Sequence, residues 1–275
     1  MKLNHIFPLL LIGKLSFAQK ISGTIVTERH TPVTDARIGV ENEDIGDMTD
    51  GEGRYSLDLS GIAKDKNLKV LVNGYEPFQM SLSEFEALNS YEIILKEKPV
   101  EIDKIEITPK KYILKNFGTR NARRAYCGYN SQDTTKLFRE YAIKVNNTRK
   151  AKIKTIHVNL ASFTLEQPVT LIFDVQRSAD GFPGESLVNQ TLKLTVTKDE
   201  IKNNTVSLDV GDQGIWTNED FFVSVRTAED FKGRLYIAGN IFAFSKSTYY
   251  RNYFGEWKKF SSGEPSINAD VLIER

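Results

Sequence analysis

The sequence predicts an all-β protein built from two antiparallel β-sandwiches, the second larger than the first. Three observations support this prediction. Apolar and polar residues alternate with a period of two in many short segments, turn-forming residues separate those segments, and the chain of 275 residues exceeds the roughly 100–200 residues of a typical domain. Hydrophobic residues make up 40% of the chain, which is enough to build two cores.

Residues 1–18 have the composition of an export signal. Lys2 precedes the apolar run 6–12, and the small residues Ser16 and Ala18 form a candidate cleavage site, although Lys14 is an unusual charge for this position. A short buried strand is the alternative, because seven apolar residues are too few to cross a bilayer, which takes about 20. We therefore expect an exported protein that is periplasmic, associated with an outer membrane or secreted, with no transmembrane segment after signal cleavage.

Charge is distributed unevenly along the chain. Residues 19–108 carry ten Lys or Arg and eighteen Asp or Glu, whereas residues 109–275 carry seven more basic than acidic residues. This opposition fits either attraction between the two halves or two separately solvated surfaces. The net charge of +1 gives no indication of a nucleic-acid partner. With a single cysteine, Cys127, no intramolecular disulfide can form, and this residue is either a small buried side chain or a free thiol.

Residues 19–108 predict six or seven short strands. Apolar positions alternate from Ile21 to Leu95, and turn residues at Thr31-Pro32, at 50–53 and at Asn73-Gly74 separate the strands. This pattern is typical of a small antiparallel sandwich.

One helical turn is predicted within this region, over residues 82–88. Ser83 would cap this turn, with Glu86 three residues later as the partner in a capping box. The remainder of the region is expected to consist of strands and turns.

Several segments of this first region carry a resemblance to a known family. They are Gly23 to Val26, Thr31 to Ile38, Thr49 to Leu57, Asn73 to Tyr75 and the closing segment Ile102 to Thr108. In order and spacing they resemble the carboxypeptidase-regulatory-like domain, a prealbumin-like seven-stranded β-sandwich. That family is often found at the N-terminus of TonB-dependent receptors and in other bacterial envelope proteins, so the resemblance implies an envelope protein. It brings no peptidase chemistry, because the zinc-binding catalytic domain is absent.

The rest of the chain predicts a second module after a connection. Residues 109–129 are rich in basic side chains and are expected to form a basic linker or a short helix. Residues 130–275 return to a period of two and predict about nine strands. The segments 154–159, 171–175, 180–185, 208–210 and 221–225 resemble the jelly-roll-like partner domain that follows regulatory-like domains in some envelope proteins. That resemblance implies an architecture and no activity.

No catalytic residue, metal site or cofactor is predicted. After signal removal only His30 and His157 remain as histidines, and the chain has no His-Glu-x-x-His, Gly-x-Ser-x-Gly or zinc-type cysteine spacing. A hydrolase, kept as an alternative, would need a cleft that holds His157 within hydrogen-bond reach of a carboxylate. The acidic stretch 41–52 offers oxygen ligands for calcium but lacks the alternation of a calcium loop, so it is interpreted as a solvated hairpin.

The candidate ligand-binding residues are aromatic. Tyr250, Arg251, Tyr253 and Trp257 form a cluster of rings and a cation that suits a sugar ring, and Trp216 is a second candidate platform. The alternative is a hairpin whose alternate rings belong to the core. The leading hypothesis is a non-catalytic, exported cell-envelope module for binding or assembly, whose partner is an envelope protein. The alternative partner is an extracellular glycan.

Overall fold

A computed structural model describes residues 20–99, 111–120, 125–133, 139–228, 231–241, 247–260 and 263–275. The predicted export signal, 1–18, and the predicted closing segment of the first domain, 102–108, lie outside these residues. Within the described part of the chain, no helix is long and apolar enough to span a bilayer.

The secondary structure is almost entirely β. The helix is α1 (Leu82–Glu86) and two short 3-10 turns cover Lys198–Glu200 and Gly211–Gln213. The strands are β1 (Lys20–Thr27), β2 (Arg37–Val40), β3 (Gly46–Met48), β4 (Arg54–Asp58), β5 (Asn67–Leu71), β6 (Phe78–Ser81), β7 (Glu92–Leu95), β8 (Tyr112–Gly118), β9 (Ala125–Asn130), β10 (Arg139–Val145), β11 (Ala151–Leu165), β12 (Val169–Ala179), β13 (Phe182–Ser186), β14 (Leu192–Val196), β15 (Thr205–Asp209), β16 (Trp216–Thr217), β17 (Phe221–Thr227), β18 (Gly233–Asn240), β19 (Thr248–Asn252), β20 (Lys258–Lys259), β21 (Glu264–Pro265) and β22 (Ile267–Glu274).

The first seven strands form the smaller sandwich. Three strands pair in the order β4-β1-β7 and four pair in the order β3-β2-β5-β6. β1 is antiparallel to β4 and parallel to β7. Side chains that alternate along the strands close a core between the two sheets, which includes Ile25, Ile38, Leu57 and Leu68. The predicted small β-sandwich is therefore present, with seven strands among the residues that the structure describes.

The helical turn is present and begins at Leu82, as predicted, but its N-cap lies two residues earlier than predicted and it ends at Glu86. Ser81, not Ser83, is the N-cap, and Glu84, not Glu86, completes the capping box. Both serines match the Ser-x-x-Glu spacing, so the motif alone does not choose between them. Burial decides, because a helix that begins at Leu82 places Leu82 and Phe85 in the core.

The remaining fifteen strands form the larger sandwich. A seven-stranded sheet contains β10, β12, β13, β14, β17, β19 and β20, and an eight-stranded sheet contains β8, β9, β11, β15, β16, β18, β21 and β22. Because the chain repeatedly crosses from one sheet to the other, the arrangement is jelly-roll-like, as predicted. Its core lies between the sheets and includes Ile156, Phe173, Phe221 and Val271.

The prediction of a basic linker or short helix over residues 109–129 is wrong for the described part of that segment. β8 pairs with β22 along its whole length, and β9 pairs with β18. Ile113 and Phe117 pack against the larger core, while Lys115 lies exposed on β8. The described part of the larger sandwich therefore begins at Tyr112 rather than at residue 130.

The smaller sandwich packs against the outer face of the seven-stranded sheet. Two glycines allow this close approach, since a Cβ on Gly39 would lie 2.7 Å from the ring of Phe254, and a Cβ on Gly74 would lie 2.5 Å from the Asn189 carbonyl oxygen. The backbone N–H of Asn42 donates to the Phe254 carbonyl at 3.1 Å. The two sandwiches therefore meet backbone to backbone.

In the ion pairs across this interface, each sandwich contributes the cation in one pair and the anion in another. Lys193 of the larger sandwich pairs with Asp35 of the smaller one at 2.8 Å, as attraction between an acidic and a basic half would require. Lys98 and Glu185 have the opposite arrangement, at 2.6 Å. The uneven charge of the two halves therefore does not by itself account for their contact.

Candidate functional site: a charged cavity between the sandwiches

The seven-stranded sheet carries ionisable side chains on the face that the smaller sandwich covers. Glu140 on β10 and Arg251 on β19 are cross-strand partners, and Asp174 on β12 lies opposite Ser224 on β17. Their sequence neighbours point to the opposite face and build the larger core, because side chains alternate along a strand. One sheet therefore separates an apolar core from a layer of buried charge.

Glu140 is the centre of this layer. Its carboxylate accepts hydrogen bonds from Arg37 at 2.9 Å, from Arg251 at 2.8 Å and from the Ser224 hydroxyl at 2.6 Å. Burial alone would raise the pKa of Glu140, but Arg251, Arg37 and Ser224 outweigh this effect and hold the pKa well below its usual range. The carboxylate is therefore ionised, and through Arg37 it joins the smaller sandwich to the larger one.

Arg226 is the least well paired member of the layer. One of its guanidinium nitrogens lies against the Met48 sulfur, which is a weak acceptor. Burial and the neighbouring Arg37 lower the pKa of Arg226 to about 10, so the side chain still carries its charge at neutral pH. Arg226 thus contributes a buried positive charge that the described residues do not match with a direct carboxylate contact.

Asp174 and Gln176 add acceptors on β12. Asp174 accepts from the Ser186 hydroxyl at 2.6 Å and from the Val175 N–H at 2.8 Å. Burial raises the pKa of Asp174 to about 6, partly offset by the Ser186 hydrogen bond. Among the described residues, the buried Gln176 Oε1 has no hydrogen-bond partner.

These side chains line a cavity of about 160 Å³ between the two sandwiches, called the charged cavity below. At its rim Lys98 pairs with Glu185, and Asp35 pairs with Lys193. The remaining charges of the lining are the three guanidiniums of Arg37, Arg226 and Arg251 against the carboxyl groups of Glu140 and Asp174. With Lys193 counted beside Asp35, these groups carry a formal charge of +1 when Asp174 is ionised; the lining residues alone sum to zero, and to +1 when Asp174 is protonated.

Three of the four clustered candidates lie at the interface between the sandwiches, and Tyr250 faces away from it. The Arg251 guanidinium stacks over the Trp257 ring at 4.3 Å. Tyr250 points to the opposite face of the same strand, where it packs against the larger core. Tyr253 lies in the turn after β19, where its backbone has φ +41° and its carbonyl accepts from Arg37. The rings of Tyr250, Tyr253 and Trp257 therefore do not form the single exposed plane that a shared sugar platform requires.

Trp216 lies away from the charged cavity, at one end of the eight-stranded sheet. It pairs with Lys152 across β16 and β11, and its ring contacts the Lys150 and Lys152 ammonium groups at 5.2 and 5.6 Å. Tyr112 meets the same ring edge-on. A binding role for Trp216 stays a prediction, and the structure places it on a different surface from Trp257.

His157 has the carboxylate neighbour that the hydrolase alternative requires. Its Nε2 lies 3.2 Å from Asp270 Oδ2, and its Nδ1 lies 2.7 Å from the Ser207 hydroxyl. The three residues are cross-strand neighbours on β11, β22 and β15. They lie on the outer face of the eight-stranded sheet, where Ser207 is exposed and the other two are partly exposed. None of the three lines the charged cavity.

The acidic stretch 41–52 is paired largely with nearby cations and backbone amides. Glu41 contacts Lys69, Glu43 contacts Lys66, and Asp50 accepts from the Arg54 side chain at 2.9 Å. Within the described residues, no three His, Cys, Asp or Glu side chains converge as a metal site would require. Cys127 packs against the larger core, and burial raises the pKa of its thiol to about 12, which makes it an unreactive side chain.

Sequence reasoning missed Arg37, Glu140, Asp174 and Arg226. For Arg226, the sequence of its own strand, β17, contains a pattern that could have indicated burial. All seven residues of β17, Phe-Phe-Val-Ser-Val-Arg-Thr, are buried, and its first three are apolar without alternation, which is typical of a strand covered on both faces. An arginine in such a strand must be buried, and therefore needs a partner or a ligand.

The fold and the cavity define a β protein of two packed sandwiches with a cavity lined by charged side chains at their interface. No protein-family model matches the chain, and no curated protein matches it. Two solved structures are similar over most of it. One is the structure of the infectious bursal disease virus Gx strain, at 8% identity and a TM-score of 0.25, covering 92% of this chain. The other is the T13 IBDV viral particle, at 8% identity and a TM-score of 0.27, covering 93%.

This chain covers 62% of the length of each of those two structures' chains. TM-scores of this size do not show a shared fold. The fold class of this protein therefore stands on its strand topology.

Proposed function

We propose that this protein is an exported, non-catalytic binding protein of the bacterial cell envelope, and that it binds a small anion in the charged cavity between its two sandwiches. The observation that carries the proposal is Arg226, a buried guanidinium in the cavity lining whose contact among the described residues is the Met48 sulfur and not a carboxylate. A buried charge without a partner is costly, and an anion in the cavity would offset that cost.

The chemistry of the lining favours carboxylate-like or phosphate-like groups. A guanidinium presents several N–H donors in one plane, which match two oxygens of such an anion at once. Arg226 has the most donors available for this, because its contact with Met48 uses one nitrogen. The cavity of about 160 Å³ is close to the ~150 Å³ cavity that is known to hold benzene, so a ligand of that size fits.

Assignment of residues 19–108 to the carboxypeptidase-regulatory-like family is part of the proposal. It is supported by the segments quoted above and by the seven strands of the smaller sandwich. An envelope protein or an extracellular glycan remains the expected macromolecular partner, in addition to the small anion.

Anion binding is tested by titration calorimetry of the purified protein with acetate, sulfate and phosphate. We expect millimolar or tighter binding of at least one of them. Replacing Arg226 with methionine should weaken that binding at least tenfold, because one charge step at a buried site is worth more than about 1.4 kcal/mol. Arg177 is exposed and pairs with Glu219 at the surface, so R177M is the matched control and should bind like the unchanged protein. Absence of binding by all three anions, or equal binding by R226M, would contradict the proposal.

Export is tested by expressing the full chain in a Gram-negative host and sequencing the N-terminus of the protein recovered outside the cytoplasm. We expect a mature protein that begins at Gln19, because Ser16-Phe17-Ala18 has the small-x-small pattern that signal peptidase cleaves. Replacing Ala18 with a bulky residue should cause uncleaved precursor to accumulate. Recovery of the uncleaved chain from the cytoplasm in both cases would argue against export.

A further inference from the structure

A second crevice lies beside the charged cavity, also between the two sandwiches. Its lining contains the rings of Phe182, Phe254 and Trp257, and it is called the ring-lined crevice below. Leu71 and Arg251 line both the crevice and the charged cavity. The two are therefore adjacent parts of one interdomain groove.

Arg251 connects the chemistry of the two parts. Its guanidinium donates to Glu140 beside the charged cavity and stacks over the Trp257 ring in the crevice. This arrangement holds the Trp257 ring at a fixed position next to the buried charge. A molecule with a charged end and a flat apolar body would contact complementary groups at both ends of the groove.

The crevice also exposes apolar surface that the fold does not cover. Phe182 and Leu71 each keep 36% of their surface exposed, although both are large apolar side chains. Tyr249 holds the Phe182 ring in place through an edge contact at 5.5 Å. Exposed apolar side chains that line a concave surface are typical of a ligand site, because a ligand removes them from water.

We infer that the ligand is a small organic monoacid with an aromatic or other ring-shaped apolar body, whose carboxylate lies at Arg226 and whose ring lies against Phe182 and Trp257. This inference rests on the function proposed above and specifies its ligand. A monoanion is favoured over a dianion because Arg226 is the one guanidinium of the lining without a carboxylate contact among the described residues. A dianion would be repelled by the Glu140 and Asp174 carboxylates, which line the same cavity.

Three probes that differ in charge and in the presence of a ring test the inference. They are acetate, 3-phenylpropionate and the neutral 3-phenylpropionamide. Binding is followed by the fluorescence of Trp257 in a W216F variant, in which Trp257 is the sole tryptophan. We expect 3-phenylpropionate to bind at least tenfold more tightly than acetate because it buries its ring, and at least tenfold more tightly than the amide because of its charge.

Substitutions in the ring-lined crevice distinguish the contribution of the ligand's ring to affinity from that of its carboxylate. Phe182→Ser should remove most of the advantage of 3-phenylpropionate over acetate and leave acetate binding unchanged, because Phe182 lines the ring-lined crevice and not the charged cavity. Leu114→Ser is the matched control, since Leu114 is an exposed leucine on β8 of the eight-stranded sheet, and it should change neither affinity. Calorimetry on the same variants checks that the fluorescence signal reports binding.

The outcomes distinguish the inference from the function on which it rests. If acetate binds and 3-phenylpropionate binds no more tightly, the ligand class is wrong while the anion site stands. The same holds if Phe182→Ser keeps the full advantage of 3-phenylpropionate over acetate. If neither acid binds, the anion site and the ligand class both fail.

Discussion

Replacing Glu140 with glutamine is expected to lower the free energy of unfolding by about 3–5 kcal/mol, the usual cost of removing one partner from a buried ion pair. Glutamine keeps nearly the same shape and can still accept hydrogen bonds. It removes the negative charge that faces Arg37 and Arg251, and so leaves three guanidiniums buried with one carboxyl group. The midpoint of urea unfolding measures the loss.

The contribution of Glu140 also depends on pH in a defined direction. Its pKa is lower in the folded protein than the value of 4.5 in the unfolded chain. The stabilisation is therefore present above about pH 4.5 and is lost as the pH falls below that value. The difference in stability between the unchanged protein and E140Q should shrink over the same range.

Glu219 provides the control for this prediction. It pairs with Arg177 at the surface, where both side chains are roughly half exposed, so E219Q should change the stability by no more than about 1 kcal/mol. If E140Q and E219Q have the same small effect, the buried layer does not depend on the Glu140 charge, and the account of the interface given above is wrong.

Replacing Asp174 with asparagine is expected to have the opposite effect and to stabilise the protein near neutral pH by up to about 3 kcal/mol. Burial raises the pKa of Asp174 to about 6 from 3.8, so the folded state disfavours its ionised form even with arginines nearby. Asparagine keeps an oxygen that can accept from Ser186 and Val175, and it cannot ionise. The same change should tighten sulfate binding, because it removes a negative charge from the cavity lining.

The pH profile provides the sharper measurement for D174N. In the unchanged protein, ionisation of Asp174 reduces stability as the pH rises from about 3.8 through about 6, and the deficit persists above that range. The advantage of D174N should therefore be near zero at pH 4 and reach its maximum above pH 7. D199N alters an exposed aspartate and should give a flat difference across the range. A flat difference for D174N as well would contradict the raised pKa.

Much of the fold follows from the sequence because side-chain alternation is local. β1, β2, β4 and β5 follow the alternating apolar positions of residues 21–95, and β14 (Leu192–Val196) has the same alternation in the larger sandwich. β8 and β9 were missed because neither has a regular apolar alternation: Lys115 stands between Ile113 and Phe117 on β8, and β9 reads Ala-Tyr-Cys-Gly-Tyr-Asn. Their strand conformation comes from pairing with β22 and β18, which are more than 100 residues away in sequence.

The candidate site was predictable only in part. Arg251 and Trp257 were identified by the clustering of aromatic and basic residues, which is a local feature. Glu140 and Arg226 lie in ordinary strands 86 residues apart, and nothing near either residue indicates the other. Only the sheet order, with β17 beside β10 and β10 beside β19, brings their side chains to one face.

The sequence by itself determined that this protein consists of β-sandwiches, because the period of two places apolar side chains on one face of each strand whatever its partners. It also determined which segments turn, through residues such as Gly53, which adopts φ +71°. The tertiary structure alone decided that the smaller sandwich covers the outer face of the seven-stranded sheet. The physical reason is that a charged side chain on a strand is predicted to face solvent when the sequence alone is considered. Its charge requires a partner only where a second layer of structure excludes water, and that layer is known only from the tertiary structure.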